Sequence, residues 1–237
     1  PLPLYPREDD EGTRAFVALS REISRQQFTQ LKAGAKRYGV TINTYLLAAM
    51  FQSIKKWNQQ WNSTPERIYI SVPLNLRTPS ERTVGNMVSG FYLPCRSELI
   101  DGRAQLLKMI QEEQTSAMEL ARQSVNLTSL LNLIPLPMKK WMFKHRASSV
   151  GPTLTISNMG TCLPNPHHID EDGFHYMGPA RIATIGIIAH PVLWPQVDVL
   201  TYNDRMTITL AAFRSHFPVE TAEKFLQCFI QELMAEE

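Results

Sequence analysis

The sequence lacks several features that would decide its partners at once. Its 237 residues carry 24 Lys and Arg against 22 Asp and Glu, and no long block of like charge occurs, so we expect no nucleic-acid partner. No apolar run approaches the roughly 20 residues of a membrane-spanning helix, so we expect no membrane span. The amino-terminal stretch has neither the basic nor the apolar region of a signal peptide.

Cysteine is also scarce. Cys95, Cys162 and Cys228 lie far apart, and no Cys-x-x-Cys pair occurs, which argues against a disulfide framework and against a structural zinc site. The compartment that fits such usage is a reducing cytoplasm. The sequence has no Gly-rich phosphate loop, no convincing nucleophile elbow and no pair of carboxylates placed for acid–base catalysis.

What the sequence does contain is a mixed succession of helical and strand patterns. Apolar residues at helical spacing predict helices over residues 22–38, 42–60, 103–123 and 218–235. Alternating or short apolar runs predict strands over residues 67–75, 86–95, 152–158, 181–189, 196–202 and 205–213. Because each helix has one apolar side and no linker divides the chain, we predict one α/β domain, a mixed sheet with its helices mainly on one face.

Two local signals refine this pattern. Asn203 and Asp204 stand between the last two predicted strands, and they indicate a tight hairpin turn because both residue types tolerate a positive φ. Residues 125–146 are rich in Leu, Met and Pro, which predicts short helices broken at Pro135 and Pro137.

Five short strings occur in an order that matches a known family. They are GVTINTYLLAAM, ISVPLNLRT, VGNMVSGFYLP, LTISNMG and DVLTYNDRMTITLAAF, and an amphipathic helix follows them. In this order they resemble the carboxy-terminal half of the chloramphenicol-acetyltransferase-like superfamily. Within it, the sequence is most similar to alcohol acyltransferases and to the condensation domains of nonribosomal peptide synthetases.

The resemblance implies a protein of two similar α/β lobes with a substrate tunnel between them. The catalytic motif His-His-x-x-x-Asp-Gly would belong to the first lobe. Residues 16–237 would be the carboxy-terminal lobe, and residues 1–15 an extended leader from the upstream one. Because the chain begins at Pro1 rather than at Met, we expect it to be a piece of a longer protein whose amino-terminal lobe is its main partner.

The activity that the resemblance implies is acyl transfer. The donor would be an acyl-CoA or a phosphopantetheine-linked thioester, which is a substrate rather than a bound cofactor, and the acceptor a small alcohol or amine. A lobe without its catalytic motif would supply one wall of the tunnel and could self-associate through its exposed lobe interface. The alternative is a non-catalytic member that keeps the fold for binding or docking.

A second copy of the motif's spacing occurs inside this chain, as His167-His168-x-x-x-Asp172-Gly173. In the catalytic interpretation His168 is a general base and Asp172 fixes its loop. Two prolines in TCLPNP before the pair deny it a central strand, and Gly178-Pro179 after it blocks a helix. We therefore favour an exposed surface loop, with the catalytic base supplied from upstream.

The same loop raises the question of a metal. His167, His168 and His175 could bind zinc together with Asp170 or Asp172, since imidazole and carboxylate suit that ion. Their spacing is irregular, and polar loops often carry such clusters, so we predict no metal site.

Four polar residues are candidates for the tunnel wall. Ser157 and Asn158 end an apolar strand just before Gly160, so they could face a cavity or could simply begin a turn. Arg77 could pair with an acid across the lobe contact or hold a loop, and we favour the structural role. Asn86 stands beside a glycine at a strand start, where a close backbone approach is expected.

Overall fold

A six-stranded mixed β-sheet forms the centre of the structure. The structure is a computed structural model that describes residues 15–77, 88–131, 134–139, 141, 151–163, 169–187, 194–215 and 217–235, without the side chains of 121–131. The strands are β1 (Phe16–Ile23), β2 (Arg67–Asn75), β3 (Val88–Arg96), β4 (Leu154–Thr161), β5 (Tyr176–Met177), β6 (Ala180–Arg181), β7 (Gln196–Tyr202) and β8 (Arg205–Phe213). The sheet has the order β1-β8-β7-β4-β2-β3, and β5 pairs with β6 in a separate short hairpin. Strand β4 is parallel to both β2 and β7, whereas the other pairs are antiparallel.

Helices cover one face of this sheet. They are α1 (Arg25–Arg37), α2 (Ile42–Gln60), α3 (Arg103–Leu131) and α4 (Val219–Met234). The strands contribute alternate apolar residues to the core that these helices enclose: Ile68, Ile70, Val72, Leu93, Leu154, Ile156, Val197, Val199, Met206, Ile208 and Leu210. The predicted α/β fold class, a mixed sheet with helices mainly on one face, is confirmed. In the described part of the chain, no helix is long and apolar enough to cross a membrane.

The prediction of a helix from residue 22 was wrong at its start, because a strand occupies that position. Residues Phe16–Ile23 form β1, which pairs antiparallel with β8 along its whole length. The helix begins only after Ser24, whose hydroxyl accepts a hydrogen bond from the amide of Gln27 while the Gln27 side chain accepts one from the amide of Ser24. This reciprocal capping box fixes the helix start at Arg25.

The predicted strand over residues 181–189 was also wrong. Only β6 (Ala180–Arg181) is extended and paired there, residues 182–187 have no regular structure, and 188–189 lie outside the description. Side chains of the main sheet satisfy backbone carbonyls of this segment instead of a neighbouring strand. The Tyr202 hydroxyl donates to the carbonyl of Ile182 at 3.0 Å, and the Thr207 hydroxyl donates to that of Ile185 at 3.4 Å.

The remaining elements agree with the sequence in kind. The predicted bounds 42–60, 67–75, 196–202 and 205–213 match the observed ones, and the other elements differ at one or both ends. The third helix continues to Leu131, so the first residues of the segment predicted to be broken helices belong to α3. The hairpin turn between β7 and β8 is confirmed, since Asn203 and Asp204 have φ angles of 48° and 55°. Residues 1–14 of the predicted leader lie outside the described residues.

Candidate functional site

The sheet face opposite the helices, which we call the open face, has a row of polar side chains across four strands. Ser20, Thr209, Asp198 and Ser157 are successive register partners on β1, β8, β7 and β4. We call these four residues the polar row. Thr209 and Asp198 have no exposed surface and Ser157 is 7% exposed. The centre of this face is therefore buried although it is polar.

Hydrogen bonds involve three members of the polar row, Ser20, Thr209 and Asp198. The hydroxyls of Ser20 and Thr209 are 2.8 Å apart. The Asp198 carboxylate accepts a hydrogen bond of 2.9 Å from the side-chain amide of Gln196, two residues earlier on the same strand and face. A buried carboxylate needs such partners, because removing a charge from water without hydrogen bonds is strongly unfavourable. Asp198 is thus a buried carboxylate with a hydrogen-bond partner at the centre of the open face.

Asp198 and Thr209 were not among the site residues predicted from the sequence. The signal was available in the string QVDVLTY, where an acid stands between two valines of a predicted strand. Period-two alternation places Asp198 on the face away from Val197 and Val199. Leu200 lies on the same face as Asp198, and a large apolar residue beside an acid indicates a face that is not simply exposed to solvent.

Ser157 and Asn158 were predicted either to face a cavity or to begin a turn, and in the structure each does one of these. Ser157 belongs to the polar row, and its hydroxyl lies 3.8 Å from the sulfur of Met159. The Asn158 side-chain oxygen accepts a hydrogen bond of 3.0 Å from the amide of Gly160, which has a φ of 71°. The pairing of β4 with β7 shifts register between Asn158 and Thr161. Asn158 therefore shapes the irregular end of the strand, whereas Ser157 faces the open side.

Of the other two candidates, only Arg77 lies within the described residues. It follows the carboxyl end of β2, and its backbone amide donates to the side-chain oxygen of Asn75 at 3.1 Å. Because β2 and β4 are parallel, Arg77 and Asn158 are at the same edge of the sheet. Asn86 lies outside the description.

From residue 169 onward, where the structure describes it, the loop with the His-His-x-x-x-Asp-Gly spacing forms a tight turn held by Asp170 rather than by Asp172. The Asp170 carboxylate accepts a hydrogen bond of 2.8 Å from the amide of Phe174, and this bond is the main reason why the pKa of Asp170 lies below its ordinary value. Gly173 has a φ of 84°, and a Cβ added to it would lie 2.7 Å from the side-chain oxygen of Asn203. The glycine is thus required by the turn and by this close contact.

Three arginines surround the turn, and we call Arg25, Arg181 and Arg205 the arginine cluster. The Arg181 guanidinium lies over the Phe174 ring, 3.8 Å from its centroid, and 4.0 Å from the carboxylate of Asp172, whose side chain is 74% exposed. Arg205 also lies over the Phe174 ring, 5.9 Å from its centroid, and Arg25 donates to the carbonyl oxygen of Asp172 at 3.2 Å. These contacts fasten the loop to the β7–β8 hairpin and to the start of α1.

The histidines of this loop are only partly described. His167 and His168 lie outside the described residues, while the amide of His175 donates to the Tyr202 hydroxyl at 2.9 Å. Within the described ranges, no three His, Cys, Asp or Glu side chains lie together in a way that could hold a metal ion.

Comparisons with known proteins rest on structure alone. No protein-family model matches the sequence, and no curated protein sequence matches it. Among solved structures, it is similar to trichothecene 15-O-acetyltransferase from Fusarium sporotrichioides, with a TM-score of 0.67, 13% identity, and coverage of 94% of this chain and 47% of that one.

Two domains of multidomain synthases are similar as well. One is the epimerization domain from the third module of tyrocidine synthetase B, with a TM-score of 0.64, 14% identity, and coverage of 92% of this chain and 47% of that one. The other is a condensation domain that mediates chain release from the enacyloxin polyketide synthase, with a TM-score of 0.62, 17% identity, and coverage of 93% and 41%. At these identities the similarity shows the fold.

These matches confirm the chloramphenicol-acetyltransferase-like fold that the five sequence strings predicted. The chain spans about half the length of the solved chains it matches. Its fold is therefore that of one part of condensation and acyltransferase domains.

Proposed function

We propose that this chain is one lobe of an acyltransferase, and that its open face forms a wall of the substrate tunnel. The observation that carries the proposal is the contrast between a sheet face closed by helices and an opposite face with a buried polar row, in a fold shared with an acetyltransferase and a condensation domain. The reaction would move an acyl group from a CoA or carrier-protein thioester to an alcohol or amine.

Within that reaction Ser157 and Asp198 of the polar row supply hydrogen-bonding groups and no general base. Attack on a thioester develops negative charge on the carbonyl oxygen, and a hydroxyl such as that of Ser157 can donate to it. The buried carboxylate of Asp198 accepts hydrogen bonds and would orient the hydroxyl or amine of the acceptor. The proton of the acceptor would go to a histidine of the partner lobe.

The partner lobe is itself part of the proposal. Three large apolar side chains on the open face are about half exposed, namely Val88 at 53%, Tyr92 at 56% and Met159 at 54%. A second lobe seated there would cover them. Without it, we expect the isolated chain to self-associate at high concentration, and a strictly monomeric chain in sedimentation experiments would count against a missing lobe.

An assay of the intact gene product tests the acyl-transfer proposal. Free thiol released from acyl-CoA and acyl-pantetheine donors would be measured with alcohols and amines of increasing size. We expect turnover. Ser157→Ala should lower kcat/KM by about tenfold or more, since the loss of a single oxyanion donor typically lowers kcat by about a hundredfold or more. Absence of thiol release with every donor would overturn acyl transfer in favour of a binding role.

Two matched variants make the assay specific. Ser20→Ala removes a hydroxyl from the same polar row at the edge strand, three strands away from Ser157, and should change kcat/KM by less than about twofold. His168→Ala tests the alternative base, whose loss would cost about a hundredfold or more if it were catalytic. We expect it to have almost no effect, and abolished activity would move the catalytic base into this chain.

A further inference from the structure

A separate feature lies on the helix-covered side, where α1, α3 and α4 meet. Arg103, the first residue of α3, is only 2% exposed. Its Nη1 donates to the carbonyl oxygen of Ala235 at 3.0 Å, just beyond the end of α4. Its guanidinium also lies over the ring of Tyr45, 4.5 Å from the centroid. These contacts fix the position of the group without neutralising its charge.

The other two nitrogens of this guanidinium lack a hydrogen-bond partner among the described residues. Nε and Nη2 of Arg103 are buried, and neither has a hydrogen-bond partner in the part of the chain that the structure describes. Arg103 lines a small pocket together with Arg37 and Tyr45, and the described residues that line it include no Asp or Glu. A buried charge is strongly unfavourable unless it is paired. An anion in the pocket would pair with this charge.

The geometry of the two nitrogens selects the kind of anion. Nε and Nη2 form one edge of the planar guanidinium, and this edge donates two parallel hydrogen bonds to the two oxygens of a carboxylate. The pocket volume is about 30 Å³, which holds about two water-sized groups. We propose that the pocket is a binding site for a single carboxylate group, with Arg103 as its ligand-binding residue.

A glycine in the pocket wall supports this assignment independently. Gly34 lies inside α1, where glycine weakens a helix relative to alanine. It lines the pocket, and a Cβ added to it would lie 3.0 Å from the Tyr45 hydroxyl. The missing side chain thus keeps the space beside Tyr45 and Arg103 open.

Thermal unfolding with sodium formate as the probe tests the proposal. Sodium chloride would be replaced stepwise by sodium formate at constant ionic strength and pH. We expect the Tm to rise saturably by about 2–4 °C, because a ligand that binds only the folded protein stabilises it. Saturation-transfer NMR on the formate proton measures the binding directly. Equal stabilisation by chloride and formate, or no NMR effect, would overturn a carboxylate site.

Three variants separate binding from general stability. Arg103→Lys keeps the positive charge but loses the two parallel hydrogen-bond donors. Gly34→Ala keeps Arg103 but narrows the pocket. Both variants should therefore abolish the rise in Tm that formate causes. Arg96→Lys makes the same exchange at an exposed arginine that pairs with Glu98, and should retain it. If Arg103→Lys fails to fold, the Gly34→Ala result decides, and an unchanged formate response in that variant would overturn the proposal.

The carboxylate could be free in solution or could belong to the chain itself, since Glu236 and Glu237 directly follow Ala235 in the sequence. A double variant, Glu236→Gln with Glu237→Gln, distinguishes these sources. A lower Tm with a larger formate response would assign the pocket to a glutamate of the chain, and unchanged values would assign it to a free carboxylate. Both results support the site, whereas loss of formate binding in the double variant would overturn it.

Discussion

The two faces of the central sheet are built from the same strands and have opposite characters. On β8, Met206, Ile208 and Leu210 enter the apolar core, while Thr207 and Thr209 on the other face carry hydroxyls. Burial of apolar area stabilises the fold on the helix side. The open face buries polar groups, which contribute little net stability even when they are hydrogen-bonded. The contrast indicates that the helix side determines the fold and that the open side serves another purpose.

The largest effect should follow a truncation on the helix side. Phe225 is 1% exposed, and its ring meets those of Trp57 and Phe217 edge to face at 5.5 and 5.8 Å. We expect Phe225→Ala to lower the free energy of unfolding by about 3–5 kcal/mol, because it leaves a cavity. Met159→Ala on the open face should change it by no more than about 0.5 kcal/mol. Urea unfolding measures both, and similar losses at the two sites would contradict the comparison.

Thiol reactivity should separate the helix side from the rim of the open face. Burial raises the pKa of Cys95 to about 12, and burial also raises that of Cys228. Cys162, just after β4, is only partly buried. At pH 8 we expect iodoacetamide to label Cys162 in the folded protein. Cys95 should react at least about a thousandfold more slowly, because the thiolate is the reactive form. Mass spectrometry of peptides identifies the sites, and denaturant should equalise them.

Two substitutions at adjacent positions of β8, one on each face of the sheet, compare the two faces directly. Ile208→Thr places a hydroxyl without a partner in the apolar core, which should cost about 2–4 kcal/mol of unfolding free energy. Thr209→Val removes a hydroxyl from the polar row and should cost only about 0.5–1.5 kcal/mol. If Thr209→Val proved as costly as Ile208→Thr, the open face would be a second structural core. Ser20→Ala is the control for Thr209→Val, because it removes the hydrogen-bond partner of Thr209 and keeps the Thr209 side chain.

The sequence predicted the helix side well because its signal is periodic. Helical spacing and strand alternation gave four helices and most strands of the sheet, and the positive φ at Asn203 and Asp204 followed from residue type. Strand β1 was missed because its second half, Ser20-Arg21-Glu22, is polar and leads directly into the helix. It is an edge strand, and its identity depends on pairing with β8, about 190 residues away along the chain.

The open side could be predicted only in part because its organisation is non-local. Ser157 was identified from its place at a strand end, but its neighbours in the polar row come from three other strands. The loop at residues 169–182 has no periodic pattern. It is held by Arg25 and Tyr202, contacts that only tertiary structure brings together. No local rule relates these residues.

The smallest effect should be a local pH response in that loop. The pKa of Asp170 is lowered, first by the hydrogen bond from the Phe174 amide and then by the nearby charge of Arg181. A carboxyl whose pKa is lowered on folding stabilises the folded loop above its unfolded pKa of about 3.9, and this contribution is lost as the pH falls through the lower folded value. The loop should therefore be intact at neutral pH and loosen only below about pH 4.

The amide proton of Phe174 reports this directly, because it donates to the Asp170 carboxylate. In NMR spectra recorded from pH 7 to pH 2, its chemical shift should follow a titration with a midpoint below that of an ordinary aspartate. Asp170→Asn keeps an acceptor oxygen and removes the charge, so it should abolish the titration while shifting Phe174 only slightly at pH 7. Glu171→Gln, at the exposed neighbouring position, should leave the titration unchanged. A midpoint at the ordinary value would mean that the charge of Asp170 does not hold the turn, and that the glycine and the packing of Phe174 against the arginine cluster suffice.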